Sequence, residues 1–180
     1  MTNKNLVVSI AFLTVFVTNA MAGQCEKNFQ EVTVTGMVNT RNVTPVIQVG
    51  TIDMQLTSVK KGKVLFDQVG AVVGQITSQG IDGSTGLPFA TLDHDITFEH
   101  HVEIKTTGDV ATIYGDPTTG EPVYVEEVLS NFEGTKTFKN ATGEIIAAGF
   151  LNASIDFNSE TGEYSSSNVF ELSGYLCIKD

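Results

Sequence analysis

Every histidine of the chain lies in one run, L92-D-H-D-I-T-F-E-H-H-V-E-I104, where His94, His100 and His101 are interleaved with Asp93, Asp95, Glu99 and Glu103. Imidazoles among carboxylates suit two kinds of chemistry, metal ligation and general acid–base catalysis. In an extended strand successive side chains point to opposite faces, so Leu92, His94, Ile96 and Phe98 share one face and Asp93, Asp95, Thr97 and Glu99 the other. His94 and His100 are then separated by roughly 20 Å, too far to share one ion. His100 and His101 point apart if extended, and a hairpin around Glu99-His100-His101 would carry them to a loop tip. No metal is therefore assigned to this run.

His94 remains as the candidate catalytic residue. Set between Leu92 and Ile96, it reads most simply as a core or pocket-lining histidine hydrogen-bonded to backbone or to a tyrosine. The sharper reading makes it a polar group on the floor of a cavity, an acid/base or ligand donor. Phe98, on the same face, is a second candidate ligand contact. Arg41, the only arginine, lies in N39-T-R-N-V-T-P45 and is a third candidate, able to pair with an anionic ligand. Its plainer reading is an exposed loop residue.

Other chemistries find no support. There is no G-x-S-x-G elbow, P-loop or Rossmann fingerprint, so serine, nucleotide and cofactor mechanisms are not indicated and no cofactor is expected. D156-F-N-S-E-T-G162 echoes a calcium loop, but its glycine is one place late and position twelve is Ser167 in place of glutamate. K60-K-G-K63 is a basic spot with a hairpin's composition. Asn42, Asn140 and Asn152 begin glycosylation sequons, which matter only in a host that modifies exported proteins.

The elements that must position these residues read as strands. Apolar residues alternate at Val32, Val34 and Val38; Ile52, Met54 and Leu56; Ile145 and Ala147; Ile155 and Phe157; and Phe170 and Leu172. Turn residues punctuate them: Lys61-Gly62, Asp82-Gly83, Thr107-Gly108-Asp109, Asp116-Pro117, Thr119-Gly120, Thr142-Gly143 and Thr161-Gly162. T-G-E occurs three times, at spacings of 23 and 19 residues with unmatched flanks, which is repeated hairpin chemistry and not an internal repeat. The pattern predicts an all-β antiparallel barrel or sandwich in one domain, residues 23–180.

Residues 1–22 read as a secretory signal peptide. Lys4 supplies the positive start, Leu6–Val17 the apolar run and Ala20-Met21-Ala22 the cleavage pattern, with the cut between Ala22 and Gly23. Twelve apolar residues are too few for a bilayer core, which needs about twenty. The expectation is a secreted or periplasmic protein without stable membrane insertion. The chain's net charge is −11, and loss of Lys4 moves it one unit further negative. So acidic a protein is a poor nucleic-acid binder, because phosphates require a basic face. Cys25 and Cys177 should form one disulfide in an oxidising compartment, tying the ends together and making the first and last strands neighbours, as in a closed barrel.

The segment F132-E-G-T-K-T-F-K-N-A-T-G-E-I-I-A-A-G149 has Gly134-Thr135, Phe138 and Ala141-x-Gly143 ahead of an alternating strand. This skeleton resembles dirigent proteins, whose barrel is shared with allene oxide cyclases and with many small secreted bacterial proteins of unassigned role. The continuation to S173-G-Y-L-C177 and the L-x-H-x-I-x-F of 92–98 are similar to the bacterial members. The resemblance spans about half of residues 23–180 and implies a closed antiparallel barrel of about eight strands. Where dirigent proteins usually have Gly after the Thr and Arg after the Ala, this chain has Lys136 and Thr142, and no catalytic residue carries over. Three functions are then expected in turn: an exported barrel that binds a small apolar or aromatic molecule or a partner surface; a cofactor-free isomerase or cyclase using the lumen with His94; and a dirigent-type protein orienting radical coupling.

Overall fold

A computed structural model of the chain describes residues 25–115, 119, 122–151, 157–158, 163–164 and 167–180. Residues 1–22, read above as a signal peptide, the Asn152 sequon, Ile155 and most of the calcium-like loop lie outside these residues. The described strands are β1 (Phe29–Thr44), β2 (Ile47–Ser58), β3 (Val64–Ile81), β4 (Pro88–Phe98), β5 (Val102–Gly115), β6 (Pro122–Leu129), β7 (Glu133–Gly134), β8 (Thr142–Phe150), β9 (Phe157–Asn158), β10 (Glu163–Tyr164) and β11 (Ser167–Lys179). Eight of them close an antiparallel barrel in the order β1–β2–β3–β4–β5–β6–β8–β11, with β11 returning to β1. Closure leaves none of these eight strands an open edge, so a long run of half-buried strands holds together in water.

The Cys25–Cys177 disulfide joins the ends, with Cα atoms 5.4 Å apart. It lies beside the β1–β11 ladder, where Phe29 pairs with Lys179 and Glu31 with Cys177.

Alternation places one face of each strand in the lumen. Val32, Val34 and Val38 of β1, Ile52, Met54 and Leu56 of β2, and Leu172, Leu176 and Ile178 of β11 are buried there. The end nearest the disulfide is filled by aromatics. The Phe66 ring meets Phe98 at 5.0 Å and Phe138 at 5.2 Å edge-on, and Phe98 and Phe138 stack at 6.3 Å. Phe138 is fully buried and comes from a short 3-10 turn, Lys136–Phe138, that plugs this end. Gly134 makes room for it, since a Cβ there would sit 2.6 Å from that of Phe138.

Two of the expected turns lie within strands instead: Thr107-Gly108-Asp109 within β5, as described below, and Thr142-Gly143 at the start of β8. The bend expected at His100 and His101 is there: Glu99–His101 is a 3-10 turn joining β4 to β5, with both histidines at positive φ and exposed. They are surface residues, well separated from the lumen face that carries His94.

Candidate functional site

His94 points into the lumen from the middle of β4, 9% exposed, and its ring is held on both sides. Its strand neighbour across the β3–β4 ladder is Gly74. A Cβ at Gly74 would lie 3.0 Å from both Cδ2 and Nε2 of the ring, so the imidazole occupies space that only glycine leaves. On the other side, β5 supplies a carboxylate. Asp109 is fully buried, and its Oδ2 lies 2.8 Å from His94 Nδ1. The Thr106 hydroxyl donates to the same oxygen, and the Ser130 backbone N–H donates to Oδ1 at 2.9 Å. A carboxylate only accepts, so Nδ1 carries the proton and Nε2 faces the lumen.

A bulge makes this possible. Thr106 pairs with His94 and Asp109 with Leu92, so Thr107 and Gly108 of β5 are matched by Asp93 alone of β4. Gly108, at φ +68°, provides the positive φ, and its N–H donates to Asp93 Oδ1 at 2.8 Å. Inward positions shift from Val102, Ile104 and Thr106 to Asp109 and Ala111. Both polar partners of His94 thereby reach the same face.

The third member comes from β6. Glu127, between inward-facing Val125 and Leu129, is 13% exposed and brings Oε1 to 3.7 Å from His94 Nε2. That oxygen is buried and lacks a hydrogen-bond partner, as is the Thr40 hydroxyl. Both line a small, partly open cavity together with His94, Gln48 and apolar side chains that include Val38, Ile52 and Phe170. Its volume is about 30 Å³. At roughly 10–15 Å³ per water it holds about two, or the reactive end of a larger molecule.

The electrostatics are those of a proton-holding cluster. Burial is the strongest influence on His94 and opposes its protonation. The Asp109 hydrogen bond and the negative charges of Glu127, Asp109 and Asp93 together outweigh it, and raise the ring's pKa. For Glu127 burial again dominates; with Asp109's charge it exceeds the attraction of His94 and pushes the carboxyl up to about 6. His94, Asp109 and Glu127 can each present a ligand atom within 4.8 Å of one another. Because Nδ1 is committed to Asp109, Nε2 and Glu127 are the atoms that face the cavity.

The other sequence candidates do not join this site. Phe98 belongs to the aromatic plug at the opposite end of the lumen. Arg41 is exposed on the outer face of β1, one residue along from the inward-facing Thr40. Asp109 and Glu127 were missed. For Glu127 the signal was present, since Val125 and Leu129 alternate with it on an apolar face. For Asp109 it was hidden, because T-T-G-D reads as a turn. A larger cleft, about 300 Å³, lies outside the barrel between the 82–87 loop and Val110, Thr112 and Tyr114. Its one carboxylate, Asp82, is held at about 2 by hydrogen bonds from Ser84 and Thr85, so it has no group that exchanges protons near neutrality. Chemistry favours the smaller lumenal site.

Set against known protein families, curated proteins and solved structures, the chain finds no match.

Proposed function

We propose that the protein is an exported barrel that binds a small molecule at the His94 end of its lumen and moves protons on it, as a cofactor-free isomerase does. The observation that carries this reading is the unpartnered Glu127 Oε1 facing His94 Nε2 across 3.7 Å on a cavity wall. A buried carboxyl oxygen without a hydrogen bond costs stability and has a use when something else completes it.

The chemistry that fits is enolisation. The Glu127 carboxylate takes a proton from the carbon beside a carbonyl, while protonated His94 gives its Nε2 proton to the carbonyl oxygen. The products are a neutral enol, a neutral imidazole whose Nδ1–H is still held by Asp109, and a protonated Glu127. Return of the protons to the original or the neighbouring carbon regenerates the substrate or yields its isomer. Among the described residues of the lining there is no cationic side chain besides His94 and no helix N-terminus to hold an enolate, so acid and base must act together. A Glu127 pKa of about 6 leaves it ionised as the base near neutral pH, and the raised pKa of His94 favours the protonated ring as the acid.

Export belongs to the same proposal. It is supported by the signal-like residues 1–22 and the disulfide, which fits an oxidising compartment. Kinship with the allene oxide cyclase and dirigent barrels is likewise proposed, with the closed eight-strand barrel and the Gly134–Phe138 plug in its support. A partner-binding role remains the second reading, favoured by an outer row in which half-buried Tyr124 joins exposed Tyr114 and Phe150, with ring contacts at 5.9 and 5.3 Å.

The test is hydrogen–deuterium exchange in D2O, followed by NMR, on a panel of short aldehydes and ketones, charged and uncharged. The wild-type protein should accelerate exchange at the carbon beside the carbonyl for at least one compound. His94→Gln and Glu127→Gln should each reduce that rate by about 100-fold or more. Exchange no faster than in buffer across the panel overturns the reading.

A further inference from the structure

We infer that this site selects by charge: it takes an uncharged, hydroxylated carbonyl group of a few heavy atoms and rejects one that carries a carboxylate. The inference rests on the lumenal acid–base reading but concerns what the site admits, which is measured separately from what it converts.

Two kinds of observation carry it. The first is the charge of the walls. Asp109 is fully buried beside the His94 ring and Glu127 faces the cavity directly. Among the described residues lining the cavity there is no lysine or arginine. Arg41, the one arginine, is exposed on the outer face of β1. An anion entering here leaves water, meets a carboxylate within about one ion-pair distance and finds no cation beyond the His94 ring, which already lies between the carboxylates of Asp109 and Glu127. Coulomb repulsion at that range in a partly buried site amounts to well over tenfold in affinity.

The second is the arrangement of polar atoms without partners. Thr40 is 6% exposed, and its Oγ1 is buried without a hydrogen bond on the same cavity as the equally unpartnered Glu127 Oε1. Thr40 pairs with Gly50 across the β1–β2 ladder, one inward position from Gln48, which also lines the cavity. A carbonyl placed against Glu127 and His94 therefore has a second polar patch, Thr40 and Gln48, to which a neighbouring hydroxyl can bond. The rest of the wall, including Val38, Ile52, Val72, Ile96, Leu129 and Phe170, is apolar and offers nothing to a charge. Hydroxyl next to carbonyl is also the arrangement in which the proton shift proposed above yields a distinct isomer: His94 recovers a proton from the enediol's second hydroxyl while Glu127 protonates the carbon that bore the carbonyl.

Hydroxyacetone and pyruvate are suitable probes, since they differ chiefly in replacing a hydroxymethyl group by a carboxylate. Binding would be followed at pH 8 from the NMR signals of the His94 ring in the wild-type protein. Hydroxyacetone should shift them and pyruvate should bind at least tenfold more weakly. Glu127→Gln, which removes one wall charge, should narrow that ratio severalfold; if this variant fails to fold, the wild-type pair of affinities decides alone. Equal or tighter binding of pyruvate overturns the inference, and so does binding of neither probe at the His94 ring. Selective binding of hydroxyacetone without catalysed exchange supports charge selection and refutes the isomerase reading. Exchange of pyruvate as fast as of hydroxyacetone supports the isomerase and refutes charge selection.

Discussion

Replacing Glu127 by glutamine should stabilise the protein at alkaline pH, because the native fold buries a carboxyl that would ionise more readily in the unfolded chain. The pKa of Glu127 rises from an ordinary 4.5 to about 6. That gap of about 1.5 corresponds to about 2 kcal/mol. The sign follows from proton uptake. Between pH 4.5 and 6 the folded state binds more protons at this group than the unfolded state, so stability falls as pH rises through that window. Below pH 4.5 the carboxyl is neutral in both states and contributes no penalty; above about pH 6 the full penalty is present. His94 acts in the same direction, because its raised pKa gives stability that is complete below 6.5 and lost as pH rises through the folded value. Glutamine keeps the shape of the side chain and never ionises. Urea titrations followed by far-UV circular dichroism, suited to a chain without tryptophan, should therefore show the variant up to about 2 kcal/mol more stable than wild type at pH 8. The two should converge at pH 4. A variant more than about 1 kcal/mol less stable at pH 8 would refute the reasoning. It would mean that Glu127 and the imidazolium form a bonded pair whose loss outweighs relief of the buried charge.

Asp109→Asn should lower the pKa of the His94 ring, read by NMR titration, since burial then acts with less opposition; an unchanged value would mean that Asp109 does not govern the ring. Gly74→Ala should displace the imidazole, with altered His94 chemical shifts and an otherwise native spectrum, because the new Cβ falls 3.0 Å from Nε2. Phe138→Ala removes the centre of the aromatic plug and should cost about 3–5 kcal/mol in a urea titration, against less than 1 if the plug collapses freely. Cys25→Ser with Cys177→Ser opens a loop closed across 152 residues and should cost up to about 5 kcal/mol by the chain-entropy model, with reductant having no further effect on the variant.

Much of the barrel was readable because its strands are long and each buries one face. Val32, Val34 and Val38 or Ile52, Met54 and Leu56 alternate without interruption, and the fold uses them as they read. The cysteines predicted the β1–β11 pairing for a similarly simple reason: a bond between the two ends requires the ends to meet. His94 was legible as an inward-facing polar residue. Phe98 and Arg41 show where such reading stops. Phe98 shares a face with His94, but four residues along a strand is about 13 Å, enough to move from cavity to plug. Arg41 was judged by its charge, while its position beside inward-facing Thr40 turns it outward.

Asp109 shows a deeper limit. Parity is carried along a strand only while every residue is paired, and one extra residue reverses it. Continued from Val102, Ile104 and Thr106, the even positions would face inward, leaving Asp109 outside and turning Val110 and Tyr114 into the lumen. The structure has the opposite arrangement: Asp109 is fully buried, whereas Val110 and Tyr114 are 44% and 37% exposed. The bulge at Gly108 thus moves a carboxylate in and an aromatic out in one step. Packing alone does not favour it, since the regular register would have placed Val110 and Tyr114 inward where the bulge places Asp109, Ala111 and Ile113. What the bulge gains is a carboxylate on His94 Nδ1, tied by Thr106 and the Ser130 N–H, and thereby a fixed tautomer with Nε2 directed at Glu127. A local exchange of apolar burial for an oriented imidazole is expected where a fold carries chemistry. Replacing Gly108 by valine tests that exchange: a β-branched residue resists the φ of +68° that the bulge needs, so the regular register should return, Asp109 should leave the lumen and the His94 pKa should fall while the barrel still forms. A His94 titration unchanged by the substitution would show that the bulge serves the strand and not the site.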